Sequence, residues 1–110
     1  MLLLSVQPGD EVVESLDRQL KEHGVTDGAV VSLIGAVDEC GISNMPARNA
    51  HEDILTKYQQ PFELSGTGEV RDGVVHLHVV LGREGDTALT GHLHWARVDA
   101  HFVNAYVVPL

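Results

Sequence analysis

The apolar positions change their period along the chain. Met1 to Val6 are largely apolar and stop at Pro8-Gly9-Asp10, the pattern of a short first strand. "DEVVESLDRQLKEHG" follows, with Val13, Leu16 and Leu20 at helical spacing on one face. Asp10 is placed to cap this helix and Gly24 to end it. Glu14–Arg18 and Asp17–Lys21 have i,i+4 spacing, with the acidic residue first, the order that suits the helix dipole. His23 in the last turn suits the same dipole. "GAVVSLIGAV" (28–37) is a near-continuous apolar run, as expected of a strand buried on both faces. Gly35 within it predicts a bulge or a close backbone approach.

Residues 38 to 60 carry the weakest periodicity. A short strand near Cys40 to Asn44 and a loop through Pro46 and Asn49 fit the pattern, and "HEDILTKYQQ" suits either a weak helix or an irregular edge segment. From Phe62 onward the chain alternates strand and turn. "FELSGTGEV" meets the tight-turn pair Asp72-Gly73, then "VVHLHVVLG", the turn "GREGDT", "ALTGHLHWARV" and "AHFVNAYVV". The pattern predicts an antiparallel meander after one N-terminal helix, an α+β class, as a single domain over 1–110.

Composition narrows the setting. A chain of 110 residues, 44% hydrophobic, has enough apolar surface for one core. Its apolar runs fall short of the roughly 20 residues a membrane helix needs. The first residues lack the basic segment of a signal peptide. Cys40 is the single cysteine, so no internal disulfide is available, which suits a reducing cytoplasm. With no motif around it, Cys40 reads as a packed thiol rather than a nucleophile. Sixteen acidic against seven basic residues give a net charge of −9. The basic side chains are scattered, and nucleic-acid affinity rests on Lys and Arg displacing phosphate counterions. Direct DNA binding is therefore expected to be weak or to depend on a partner.

The candidate chemistry lies in "HLHVVLGREGDTALTGHLHW" (76–95). Strand alternation puts His76, His78 and Val80 on one face, with Leu77, Val79 and Leu81 on the other. The second strand places Thr90, His92 and His94 together, opposite Leu89, Leu93 and Trp95, so Trp95 is expected in the core. With the turn centred on Gly85, His78 faces His92 and His76 faces His94. The same register sets Leu77 against Leu93 and Leu81 against Leu89. Opposed Cβ atoms lie about 5 Å apart, near enough for imidazoles to converge on an ion at Zn–N distances of about 2.1 Å. A solvated strand face carrying histidines is the plainer reading of the same pattern. That face is either wet or covered by another subunit.

"IGAV" (34–37), "LSGTGEVRDGVVHLHVVLG" (64–82) and "GHL" (91–93) together resemble the PPC domain, the plants-and-prokaryotes conserved domain. The resemblance runs in order over essentially the whole chain. It implies a compact α+β fold, assembly as a homotrimer and a DNA-associated role. It also implies a zinc site at His76, His78 and His92. His94 lies outside the shared motif and enters through hairpin geometry alone, as a fourth ligand or a group behind the ligands. Thr90 stands where the family often has glycine, and the last strand offers His101 and Asn104 where the family usually has Glu. No AT-hook or basic tail is present.

Three readings follow. One is a homotrimeric module binding zinc, or another first-row divalent metal, with a regulatory or interaction role near DNA. The alternative is a zinc-dependent enzyme acting through metal-bound water, with Glu69, Asp99, His94 or His101 as acid–base help. A metal that only staples the trimer is a third.

Overall fold

In the computed structural model, which describes residues 1–110, the chain forms eight strands and one helix. They run β1 (Leu2–Val6), α1 (Val12–Glu22), β2 (Gly28–Val37), β3 (Glu39–Asn44), β4 (Ile54–Tyr58), β5 (Phe62–Arg71), β6 (Val74–Arg83), β7 (Thr87–Arg97) and β8 (Val103–Pro109). All eight strands join one antiparallel sheet in the order β1-β8-β2-β5-β6-β7-β3-β4. The expected meander holds for β5-β6-β7. The last strand departs from it, inserting between β1 and β2.

Helix α1 packs against β1, β6 and β7 and covers one face of the sheet. Val12, Leu16 and Leu20 are buried from the helix side. Leu77, Val79, Leu81 and Leu93 are buried from the hairpin, and Val103, Ala105 and Val107 from β8. The inward helical stripe starts at Val12, and Val13 is only partly buried.

Both helix ends are closed by specific contacts. The N-cap is Glu11 and not Asp10: its two carboxylate oxygens accept from the Val13 and Glu14 amides at 2.8 and 2.9 Å. One of those oxygens also accepts from the Ala96 amide of β7 at 2.8 Å, so the same side chain ties the helix to the sheet. The longer Glu side chain spans both tasks. At the other end, Gly24 takes a φ of +67°, with bonds from the Gly24 amide to the Lys21 carbonyl and the Val25 amide to the Leu20 carbonyl. That pairing is a Schellman closure, and it needs a residue tolerant of left-handed backbone. The expected i,i+4 ion pairs do not form. Asp17 instead accepts from the Val75 amide at 2.9 Å, anchoring α1 to β6, and Arg18 turns to Glu22 at 3.9 Å.

Strand β2 matches its predicted span but is buried on one face only. Val31 and Ile34 are 47% and 53% exposed on the side away from the helix. A register shift between Val30 and Leu33 makes a bulge upstream of Gly35. Gly35 itself fulfils the close-approach expectation, since a Cβ there would collide with the Phe102 carbonyl. The segment "HEDILTKYQQ" resolves as a strand, β4, at the sheet edge beyond β3. Asp72 and Gly73 both have positive φ, 52° and 77°, as a two-residue hairpin turn requires. Cys40 is fully buried, and burial pushes its thiol up to about 11, which leaves it protonated and unreactive at neutral pH.

Glu11→Ala removes the helix cap and leaves the Ala96 amide unpaired. We expect a loss of about 2–4 kcal/mol, measured by urea denaturation, with Asp10→Ala costing less than half of that.

Candidate metal centre

The antiparallel pleat sends the inward residues of β5, β6 and β7 to the core and their neighbours to the outer face. Pairing then lines up one rung across four strands: Thr67 of β5, His78 of β6, His92 of β7 and Ser43 of β3. Beside it, Glu69 faces His76. The hairpin register matches the expected one from Arg83↔Thr87 through Leu81↔Leu89 to His78↔His92, around a turn in which Gly85 has a φ of +87°.

Beyond His92 the two strands part. Strand β7 shifts register against β3 between the pairs Leu93–Ile42 and Trp95–Gly41, which leaves His94 as the extra residue of a bulge. The expected pairs His76–His94 and Leu77–Leu93 are therefore absent from the β6–β7 ladder. His76 reaches His92 instead: its Nε2 lies 2.9 Å from His92 Nδ1. The bulge also turns Trp95 out of the core. Its half-buried indole lies over Gly41, where a Cβ would strike the indole nitrogen.

His76, His78 and His92 bring one ring nitrogen each to within 4.8 Å of one another. A tetrahedral ion with Zn–N distances of about 2.1 Å would hold its ligand nitrogens roughly 3.4 Å apart. Small rotations of exposed side chains cover that difference, so the donor set fits a divalent ion. Burial holds the His92 imidazole below the usual histidine range, and the neighbouring His76, His94 and His78 act in the same direction. Asp53 opposes them. The balance favours the neutral ring, the form that binds a metal.

His94 stands apart from the cluster. Its Nε2 is 2.7 Å from the Ser43 hydroxyl, while its ring packs 4.7 Å from that of His92. It thus touches His92 through its ring and β3 through Ser43. The other acid–base candidates are dispersed. Glu69 lies opposite His76 but pairs with Arg71 at 3.2 Å. The Asp99 amide donates to Asp38 at 2.7 Å, in the turn before β8. His101 lines a separate cleft of about 660 Å³ with Arg83, Glu63 and Glu84. Asn104 accepts from the Ser5 hydroxyl at 2.7 Å, a bond between β8 and β1.

Sequence reasoning missed Ser43, Asn44 and Asp53, which gather beside the cluster. They line a cavity of about 340 Å³ together with Thr90, His78 and His92. Their positions follow from β3 pairing with β7 and, for Asp53, from β4 pairing with β3, contacts that no local pattern announces.

Two glycines of β5 shape the strand next to the site. A Cβ on Gly66 would collide with the His78 carbonyl, and one on Gly68 with the His76 carbonyl. The "SGTG" stretch thus lets β5 approach the backbone that carries both histidines.

Comparison with known proteins places this arrangement. A metal-containing protein from Archaeoglobus fulgidus is 32% identical, with a TM-score of 0.78 over 99% of this chain and 78% of its own. A proposed DNA-binding protein from Bacteroides thetaiotaomicron is 25% identical, with a TM-score of 0.82 over 97% of this chain and 76% of its own. A plant- and prokaryote-conserved protein from Pyrococcus horikoshii, 23% identical, shares the fold at a TM-score of 0.82 over 99% of this chain and 79% of its own. Searching curated proteins gives no match. Residues 1–109 match the model of the Plants and Prokaryotes Conserved domain, and with the histidine hairpin in its expected sheet the chain belongs to that family, the PCC or PPC domain.

Proposed function

We propose that this PPC-domain chain binds a divalent metal ion through His76, His78 and His92 and works as a homotrimeric interaction module, reaching DNA through a partner. The observation that carries the metal reading is the convergence of three imidazole nitrogens on one outer-face spot. Zinc is the first choice, because imidazole suits it and three histidines leave one position open. Other first-row divalent ions fit the same donors. An ion there supplies Lewis acidity at the open position; the chain's own part is to hold three neutral rings in place. The metal content of the Archaeoglobus fulgidus relative supports the reading.

The trimer is what the family resemblance implies, and the uncovered sheet face supports contact between copies. Val31, Ile34 and Val80, each between 46% and 53% exposed, flank the site on the β2–β5–β6 side. Ile34 and Val80 each lie opposite Ser65 in the ladders, so they share one rung. A sheet face carrying exposed β-branched residues is suited to contact with another copy.

The charge pattern supports an indirect route to DNA. Net charge is −9, and Arg18, Arg71 and Arg97 each lie against a carboxylate. The relative described as a proposed DNA-binding protein motivates the DNA part of the reading.

Protein purified without a histidine tag and exposed to zinc should hold close to one equivalent per chain by elemental analysis. His76→Ala and His92→Ala should each lower that at least tenfold with unchanged circular dichroism, since both side chains sit outside the core; wild type without metal would end the reading. Sedimentation equilibrium should give three times the chain mass, and Ile34→Asp should shift it towards monomer. In a salt series with duplex DNA, the isolated protein should bind negligibly even at low salt. Tight low-salt binding with a steep slope would overturn the need for a partner.

A further inference from the structure

Cavities flank the histidine cluster on two sides, one of about 260 Å³ by Thr67, Gly68 and Glu69 and one of about 340 Å³ between β7, β3 and the segment entering β4. His78 and His92 form part of the wall of the second, so a molecule seated there touches the cluster directly.

The hydrogen-bonding capacity of this wall leans towards acceptance. Asn44 directs one amide hydrogen to the Thr90 carbonyl at 2.9 Å, which leaves its oxygen to accept and one hydrogen to donate. Thr90 donates its hydroxyl hydrogen to the Val79 carbonyl at 2.9 Å, which leaves only lone pairs. Asp53 is an exposed acidic residue with no ion pair, and it acts on the His92 ring. No lysine or arginine lines the cavity. Beside the second Asn44 amide hydrogen, the wall therefore offers oxygen acceptors and one uncompensated negative charge. Beside His76 and His78, across Thr67 and Gly68, the carboxylate of Glu69 is engaged by Arg71. The two acidic neighbours of the cluster thus differ in kind, and only Asp53 has its charge available.

We propose that this cavity is the ligand subsite of the histidine centre, and that Asp53 makes it select small neutral or cationic molecules bearing hydroxyl or amino donors over anions. The proposal rests on the metal reading above. A ligand of this class places one oxygen or nitrogen at the open position of the ion. Its remaining donors meet Asp53, the Asn44 oxygen and Thr90. A carboxylate or phosphate reaching the same position meets Asp53 with like charge and finds no cationic side chain to offset it.

The test uses cobalt-loaded full-length protein, whose visible spectrum reports the ion's surroundings without any assumed activity. Titration with 2-aminoethanol and, separately, with acetate gives the affinity of each probe, with cobalt content checked after desalting. Wild type should respond to 2-aminoethanol at lower concentration than to acetate. Asp53→Asn should weaken 2-aminoethanol by about tenfold and strengthen acetate several-fold, the scale expected of one charge acting across a partly exposed site. Glu69→Gln should move neither. Asp53 is exposed, so its substitution does not endanger the fold. Cobalt uptake with no change in the ratio of the two affinities on Asp53→Asn overturns this inference alone. Failure to take up cobalt overturns it together with the metal reading.

Discussion

The β6–β7 register that sets His78 opposite His92 is the constraint on which both the core and the site depend. In an antiparallel ladder each pair sets the facing of every other residue on both strands. With His78 opposite His92, Leu81 falls opposite Leu89, Leu77 and Leu93 are buried, and the imidazoles point away from α1. A slip by one residue would put histidines in the core and leucines in water. The burial of the apolar face thus holds the ligating face in register. Stability and site geometry are two readings of one alignment.

Two devices then adapt that alignment. The bulge at His94 ends the simple alternation of β7 and lets the strand serve β6 on one side and β3 on the other. It frees His94 to hold Ser43 and carries Trp95 over Gly41. Close by, Glu11 caps the helix and grips the Ala96 amide just past the bulge. The irregular part of β7 is therefore pinned from both faces of the sheet, by His94 from outside and by the helix N-terminus from inside.

Much of this was legible in the sequence where the signal is local. The helix, the 28–37 strand, the Asp72-Gly73 turn and the hairpin register as far as His78–His92 follow from period, turn chemistry and alternation. His78 and His92 came together from that register; His76 was pointed to by the family motif, since its expected partner His94 is not the one it meets. What escaped depends on contacts between distant segments. Asp10 looks the natural cap of α1 until β7 is seen offering its amide to Glu11. Trp95 reads as core until a bulge set by pairing with β3 turns it. The run 28–37 looks buried on both faces because nothing in it says that the helix covers only one. Asp53 lies in the stretch of weakest periodicity, and it reaches the histidines only through the pairing of β4 with β3 and of β3 with β7.

The place of β8 in the sheet has a consequence for the order of assembly. Its pairing with β1 joins Leu2 to Val107, a separation of 105 positions, whereas His78 meets His92 across 14. Loop-closure entropy grows as the logarithm of separation, so the outer pairing costs about 1.8 kcal/mol more to close than the hairpin. The segment bearing the three histidines is accordingly favoured to close first, and β1 and β8 last. The ligand geometry is set by a local event, and the long-range pairing of β1 with β8 locks in afterwards a site whose register is already decided.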